Sequence, residues 1–202
     1  SGLSFASNSN TVPYFNAFRL GYYYYDVHIF GQSILNGNVN INNNASYNLL
    51  GSKSRNWKGN MISNISYRNS TLSYKVTDPT DPFCYNTNVN FSTSNYNTIQ
   101  ITIRSQEADS CSIYFYTDGV GGFNAEQCVS FKIIPGAAGT YTIPIGHVAN
   151  YTGNVRGIRV DCGETVNETI TISSLKAVYA ENISSSIKYE RTFHTYSEKL
   201  YD

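Results

Sequence analysis

Tyr96-Asn97-Thr98-Ile99-Gln100-Ile101-Thr102-Ile103-Arg104 decides the fold class of this chain. Three isoleucines stand at every second place, with Gln and Thr between them and Arg after the last. A strand sends successive side chains to opposite faces, so this spacing buries one face and wets the other. β-Branched side chains also suit a pleated surface better than a helix. The same period recurs on both sides. Leu72, Tyr74 and Val76 share a face upstream. Downstream, Ile113 and Phe115 alternate with Tyr114 and Tyr116, and Val129, Phe131 and Ile133 follow the turn-rich Asp118-Gly119-Val120-Gly121-Gly122. Tyr141, Ile143 and Ile145 come next, with Pro144 marking an edge or a strand end. Ile158 and Val160 alternate with Arg159 and Asp161, and Ile170 and Ile172 open a last run to Tyr179. Short alternating runs separated by turn residues, from Leu49 to about Ala180, predict an all-β sandwich.

Both flanks lie outside this regular block. Residues 1–47 read as an N-terminal arm around Tyr22-Tyr23-Tyr24-Tyr25-Asp26-Val27-His28-Ile29-Phe30, whose alternation is that of a strand. The Asn-rich stretch from Asn36 to Asn48 reads as turn-like. Residues 48–181 form the sandwich, and residues 182–202 one more strand and tail, with Tyr189, Phe193 and Tyr196.

A chain of 202 residues with 41% hydrophobic content is long enough for one large domain with a real core. Charged residues make up 14% and the formal net charge is zero, so there is no basic field for nucleic acid or anionic lipid. No apolar run reaches membrane-spanning length. Seven glycosylation triplets, at Asn44, Asn64, Asn69, Asn90, Asn150, Asn167 and Asn182, point to an extracellular or cell-surface location, since they are read in a secretory pathway. An Asn-, Ser- and Thr-rich composition also produces such triplets by chance. The chain opens at Ser1 without an apolar leader, as a processed secretory chain or a piece of a longer one would. Cys84, Cys111, Cys128 and Cys162 contain no close pair, which speaks against zinc and for two disulfides, with three connectivities open. If the Ile113 and Ile158 strands lie side by side and antiparallel, Cys111 meets Cys162, leaving Cys84 with Cys128.

The block from Trp57 to Tyr179 resembles a jelly-roll module of the carbohydrate-binding type. The resemblance is carried, in order, by Trp57, by Leu72-Ser73-Tyr74-Lys75-Val76-Thr77-Asp78-Pro79, by the isoleucine strand, by Ile113-Tyr114-Phe115-Tyr116-Thr117, by Val129-Ser130-Phe131, and by Gly153-Asn154-Val155-Arg156-Gly157-Ile158-Arg159-Val160-Asp161. Cys162 stands where many relatives carry Pro. The resemblance implies a jelly-roll β-sandwich, here with extended terminal arms, and an architecture that binds, builds or spaces. It names no sugar.

Sugar rings dock their apolar C–H faces on aromatic side chains, and Trp57, Tyr114 and Tyr116 are the candidates for such a platform. Ordinary strand packing with wet phenol tips is the competing reading. Asp118, followed by glycines and Glu126, has the donor types for calcium, although Asp-Gly with Gly-Gly also serves a hairpin loop. No other cofactor is implied. Arg159 and Asp161 share a strand face and suit an ion pair. Asp78 and Asp81 both lie close before Pro, a turn pattern rather than an acid–base pair. With no triad or nucleophile motif visible, a non-enzymatic role is expected. Two functions remain. One is a structural glycoprotein of a surface coat, matrix or filament, self-associating or joining other surface glycoproteins through its arms. The alternative is a glycan-binding module of a larger secreted protein. Sugar on all seven triplets would shield much of the sandwich and favour contact through the arms.

Overall fold

The computed structural model describes residues 19–20, 23–28, 33–34, 41–51, 56–181, 188–189 and 192–197. The chain divides into two units, Ser1–Ile29 with Arg191–Asp202, and Phe30–Glu190. In chain order the strands begin with β1 (Arg19–Leu20), β2 (Tyr23–His28), β3 (Ser33–Ile34), β4 (Ile41–Asn48), β5 (Lys58–Asn60) and β6 (Ile62–Arg68). They continue with β7 (Thr71–Val76), β8 (Phe83–Asn86), β9 (Phe91–Ser92), β10 (Thr98–Arg104), β11 (Ser110–Thr117) and β12 (Cys128–Lys132). The last are β13 (Ala138–Pro144), β14 (Asn154–Asp161), β15 (Thr169–Ala180), β16 (Lys188–Tyr189) and β17 (Thr192–Ser197).

The larger unit is a jelly-roll sandwich. Its first sheet has the order β13-β10-β15-β7-β6, with β4 also paired to β15. Its second has the order β12-β11-β14-β8-β5, with β9 also paired to β14. The chain switches sheet repeatedly, as at Met61, where β5 of the second sheet turns into β6 of the first. Met61 takes a positive φ of 53°, and its carbonyl accepts from Thr77 N at 2.9 Å and Asp78 N at 3.3 Å. β3 and β16 add a two-stranded ladder. In the smaller unit, β1, β2 and β17 form an antiparallel sheet in which the two arm strands pair along their length, from Thr192 opposite His28 to Ser197 opposite Tyr23.

The alternation read from the sequence is kept. Ile99, Ile101 and Ile103 are buried, as are Leu72, Tyr74 and Val76, Ile113 and Phe115, and Ile158 and Val160. Each fully buried aliphatic side chain contributes about 1.5–3 kcal/mol relative to exposure, and facing rows from both sheets interdigitate in one core. Pro144 ends β13, at the sheet margin, where no ladder donor is lost. Tyr74 crosses between the sheets, and its hydroxyl donates to the Cys162 carbonyl at 2.9 Å. One expectation is corrected. The Asn-rich stretch before Asn48 is not a turn from end to end, because Ile41–Asn48 is a strand pairing with the C-terminal half of β15. At the margin of a ladder, backbone hydrogen bonds suffice and a low-propensity composition is tolerated.

A buried carboxylate fixes one end of the sandwich. Glu168, 5% exposed, stands one residue before β15. Its Oε1 accepts from the Ser105 hydroxyl, from Glu107 N at 2.9 Å and from Ala108 N at 3.1 Å. Its Oε2 accepts from Glu164 N at 3.0 Å and Thr165 N at 3.4 Å. Burial works against the charge, but these donors outweigh it and bring the carboxyl down to about 2. The folded value lies below the unfolded one of about 4.3, so the stabilisation is complete above that pH and is lost as pH falls toward 2. Glu168→Gln is expected to cost about 1–3 kcal/mol in urea unfolding at pH 7, and the gap to wild type should narrow at low pH. A gap independent of pH would refute the ionic account.

Candidate functional site

The two sheets differ on their outward faces. On the first, hydroxyl and amide groups bond across the strands, as between the Thr102 and Thr140 hydroxyls at 2.9 Å and from Gln100 to Thr142 at 3.2 Å. On the second, the register lines up larger groups in rows across the strands. One row runs Lys58, Tyr85, Arg159, Tyr114, Cys128. The next runs Asn60, Phe83, Asp161, Ser112, Ser130. Tyr116 extends the face opposite Gly157. A Cβ at Gly157 would lie 2.1 Å from the Tyr116 ring, so glycine is what allows the ring to lie flat over β14.

Arg159 is the centre of this face. Its guanidinium sits 3.5 Å from the Phe83 ring centroid and 4.7 Å from that of Tyr114. Nε and Nη2 each donate to Asp161 at 2.6 Å, and Nη2 also reaches Asp81 at 2.8 Å. Burial disfavours its charge, but Asp161 and Asp81 more than compensate and its pKa is raised. Burial also pushes the Asp161 carboxyl up, against the pull of Arg159. Tyr114 is pushed up to about 12, first by burial and then by Cys128 beside it. Phe123, from the loop between β11 and β12, meets Tyr116 edge-on with centroids 5.0 Å apart and Tyr85 at 6.2 Å. Phe83 and Tyr85 are 5.9 Å apart. The result is a half-exposed surface of five aromatic rings around a charge-matched guanidinium.

Of the three platform residues expected from the sequence, Tyr114 and Tyr116 lie on this face. Trp57 does not. It is 7% exposed and belongs to the core, with its indole N–H lacking a protein partner, so its ring cannot serve as an open platform. Phe83, Tyr85, Phe123 and the role of Arg159 were missed, although the alternation of Phe83 and Tyr85 with Cys84 and Asn86 carried the signal. Of the two calcium candidates, Asp118 already has partners within the chain. The Asp118 carboxylate is taken by Arg156 and by Asn154, whose N and Nδ2 donate at 3.2 and 3.0 Å, and it is held below the usual carboxylate range by Arg156 first and Asn154 next. Glu126 belongs to a short 3-10 helix, Ala125–Gln127, capped by the Asn124 side chain. Asp78 closes a turn by accepting from Thr80 N at 2.9 Å and the Thr80 hydroxyl at 2.6 Å.

All four cysteines stand as thiols in the structure. Cys84, Cys111 and Cys162 face the core, whereas Cys128 is half-buried on the outward side of β12. The expected pairing of Cys84 with Cys128 is therefore excluded, because the two lie on opposite faces of the sheet with β14 and β11 between their strands. Asn64, Asn69, Asn90, Asn150 and Asn167 are all exposed. Four of them, Asn64, Asn69, Asn150 and Asn167, have positive φ, a backbone state that asparagine tolerates. Asn44 lies in β4, and Asn182 is outside the described residues. None of the five belongs to β5, β8, β11, β12 or β14. Sugar at these sites would thus leave the aromatic face without an attachment point of its own.

No protein-family model matches the chain, and no curated protein matches it. Its neighbours among solved structures include carbohydrate-binding modules. They include a low-affinity xylan-binding module, CBM86, from the xylanolytic gut symbiont Roseburia intestinalis, at 11% identity and TM-score 0.46, covering 68% of this chain and 95% of that one. A family 29 carbohydrate-binding module aligns at 12% identity and TM-score 0.41, covering 77% of this chain and 88% of that one. A CBM4 protein aligns at 12% and 0.42, covering 60% and 78% respectively.

Removing the central cation should strand Asp161. Arg159→Leu is expected to cost about 2 kcal/mol or more in urea unfolding, and Arg159→Leu with Asp161→Asn should recover part of that loss. A double variant as unstable as the sum of the single ones would show that the pair is not coupled.

Proposed function

We propose that this protein is a glycan-binding module that holds a neutral sugar chain on the outward face of its second sheet. The observation that carries the reading is the cluster Phe83, Tyr85, Tyr114, Tyr116 and Phe123 around Arg159, on a face that bears none of the described triplet asparagines. Rings of this kind take the apolar C–H side of a pyranose, while groups at the rim hydrogen-bond its hydroxyls. Lys58, Asn60, Asp81 and Ser130 ring the cluster and supply both donors and acceptors. Five strands about 4.8 Å apart give the face room for several sugar units in a row.

Charge selects among glycans. Arg159 already has Asp161 and Asp81 as partners, so the central guanidinium is not offered uncompensated to a uronic acid or a sulfate ester. A neutral polysaccharide leaves these pairs intact, whereas an acidic one must compete with them. Both carboxylates nearest the rings are committed to Arg159, which favours binding over hydrolysis. The exposed triplet asparagines support an extracellular location. The filament reading needs free arm strands, and here β2 and β17 pair with one another, so glycan binding is the better-supported function.

The reading is tested by titrating soluble neutral polysaccharides (xylan, mannan, mixed-linkage glucan) and acidic ones (polygalacturonate, alginate) against the purified protein by calorimetry and affinity electrophoresis. Binding is expected to at least one neutral chain, weakened roughly tenfold or more, about 1.4 kcal/mol, by Tyr116→Ala or Tyr85→Ala. Gly157→Ala, which displaces the Tyr116 ring, should weaken it as well. Thr102→Ala on the other sheet should not. Failure to bind any neutral chain, or equal loss on Thr102→Ala, would overturn the assignment.

A further inference from the structure

Three thiols meet in the core, and their positions on the ladder are not equivalent. Cys111 is on β11, Cys162 directly follows β14 and Cys84 is on β8, so that β14 separates the strands of Cys84 and Cys111. Ser112 and Asp161 are the last pair of the antiparallel ladder of β11 and β14, and continuing its register by one step sets Cys111 opposite Cys162. Both are buried, at 2% and 4% exposure, on the same side of the sheet. Cys84 pairs with Val160 and so stands diagonally from Cys162, two places along β14.

We infer that Cys111 and Cys162 form a cross-strand disulfide within the second sheet, and that Cys84 and Cys128 remain thiols. Residues directly opposite in an antiparallel ladder have Cα atoms about 4.5–5.5 Å apart, inside the roughly 4.4–6.8 Å that a disulfide spans. Diagonal neighbours are about 7–8 Å apart, and residues two strands apart about 9.5 Å. Both Cys84–Cys162 and Cys84–Cys111 are therefore beyond reach without moving the backbone. Cys128 lies on the far face of the sheet, where its thiol is beside Tyr114. The cluster thus holds one bridgeable pair and one bystander.

The reaction needs an oxidant, and a low-molecular-weight disulfide serves. Two thiols and one R–S–S–R give the Cys111–Cys162 bond and two R–SH; the two sulfurs lose two electrons and two protons, and the reagent gains them. The first exchange passes through a mixed disulfide at one cysteine, and the second thiolate displaces R–S⁻. Burial pushes the Cys111 thiol well up, so thiolate is scarce in the closed sandwich. The bond consequently forms as the chain folds rather than after it. It ties the strand bearing Tyr114 and Tyr116 to the strand bearing Arg159 and Asp161, on the side opposite the proposed sugar face.

The test is to refold the denatured, reduced chain in a mixture of oxidised and reduced glutathione, block remaining thiols with iodoacetamide in denaturant, and map peptides by mass spectrometry. The expected result is one cross-linked pair containing Cys111 and Cys162, with Cys84 and Cys128 alkylated. Four alkylated cysteines, or a cross-link that includes Cys84, would overturn the inference. In a second measurement, the oxidised protein should melt at a higher temperature than the same protein reduced. That difference should survive in Cys84→Ala and vanish in Cys162→Ala; its loss in Cys84→Ala would equally refute the pairing. Sugar binding plays no part in either readout.

Discussion

A single geometric constraint governs this sandwich, the two-residue period of a strand. It is kept from Ser110 to Thr117 on β11 and from Ile158 to Asp161 on β14, so there every residue committed to the core commits its neighbours to the outside. Ile113 and Phe115 inward force Tyr114 and Tyr116 outward. Ile158 and Val160 inward force Arg159 and Asp161 outward. The core and the candidate binding face are therefore two readings of the same residues. A one-place slip of β14 against β11 would bury the Arg159 guanidinium and expose Ile158 and Val160, which makes the register as strongly specified as the core itself.

This coupling lets contacts within the chain itself hold the face in place. Arg159 is flanked by two rings and two carboxylates, and Tyr116 lies on a backbone stripped of its Cβ at Gly157. A surface held in place before binding loses less side-chain freedom when a ligand arrives. Glu168 does the corresponding work at the end of the sandwich, where five donors converge on one carboxylate and anchor the loops that flank β11 and β15.

What the sequence disclosed and what it hid follow from range. Alternation is local, so Ile99, Ile101 and Ile103, or Leu72, Tyr74 and Val76, announce a strand and its buried side unaided. The outward placement of Tyr114 and Tyr116 was legible for the same reason. Which strands become neighbours is not local. Nothing near Phe83 says that it will lie under Arg159, and nothing in the glycine-rich loop says that Phe123 will fold back on Tyr116 and Tyr85. Trp57 stands alone before its strand, where no period assigns it a side, and its aromatic character alone suggested a platform for a ring that fills the core. The strand Ile41–Asn48 was hidden because ladder hydrogen bonds to β15, not propensity, hold it.

The left-handed asparagines also bear on how attached sugar would be studied. Asn64, Asn69, Asn150 and Asn167 hold positive φ values between 53° and 71° or, at Asn69, 49°. Asn→Gln, the usual way to erase an acceptor, would there exchange a residue at ease in that conformation for one that resists it. Loss of carbohydrate and backbone strain would then be confounded in a single variant. Changing the hydroxyl residue two places on to alanine, as at Ser66 or Thr152, abolishes the acceptor and leaves the turn untouched. The conformation of these corners thus dictates the mutational grammar by which glycan effects can be separated from folding effects.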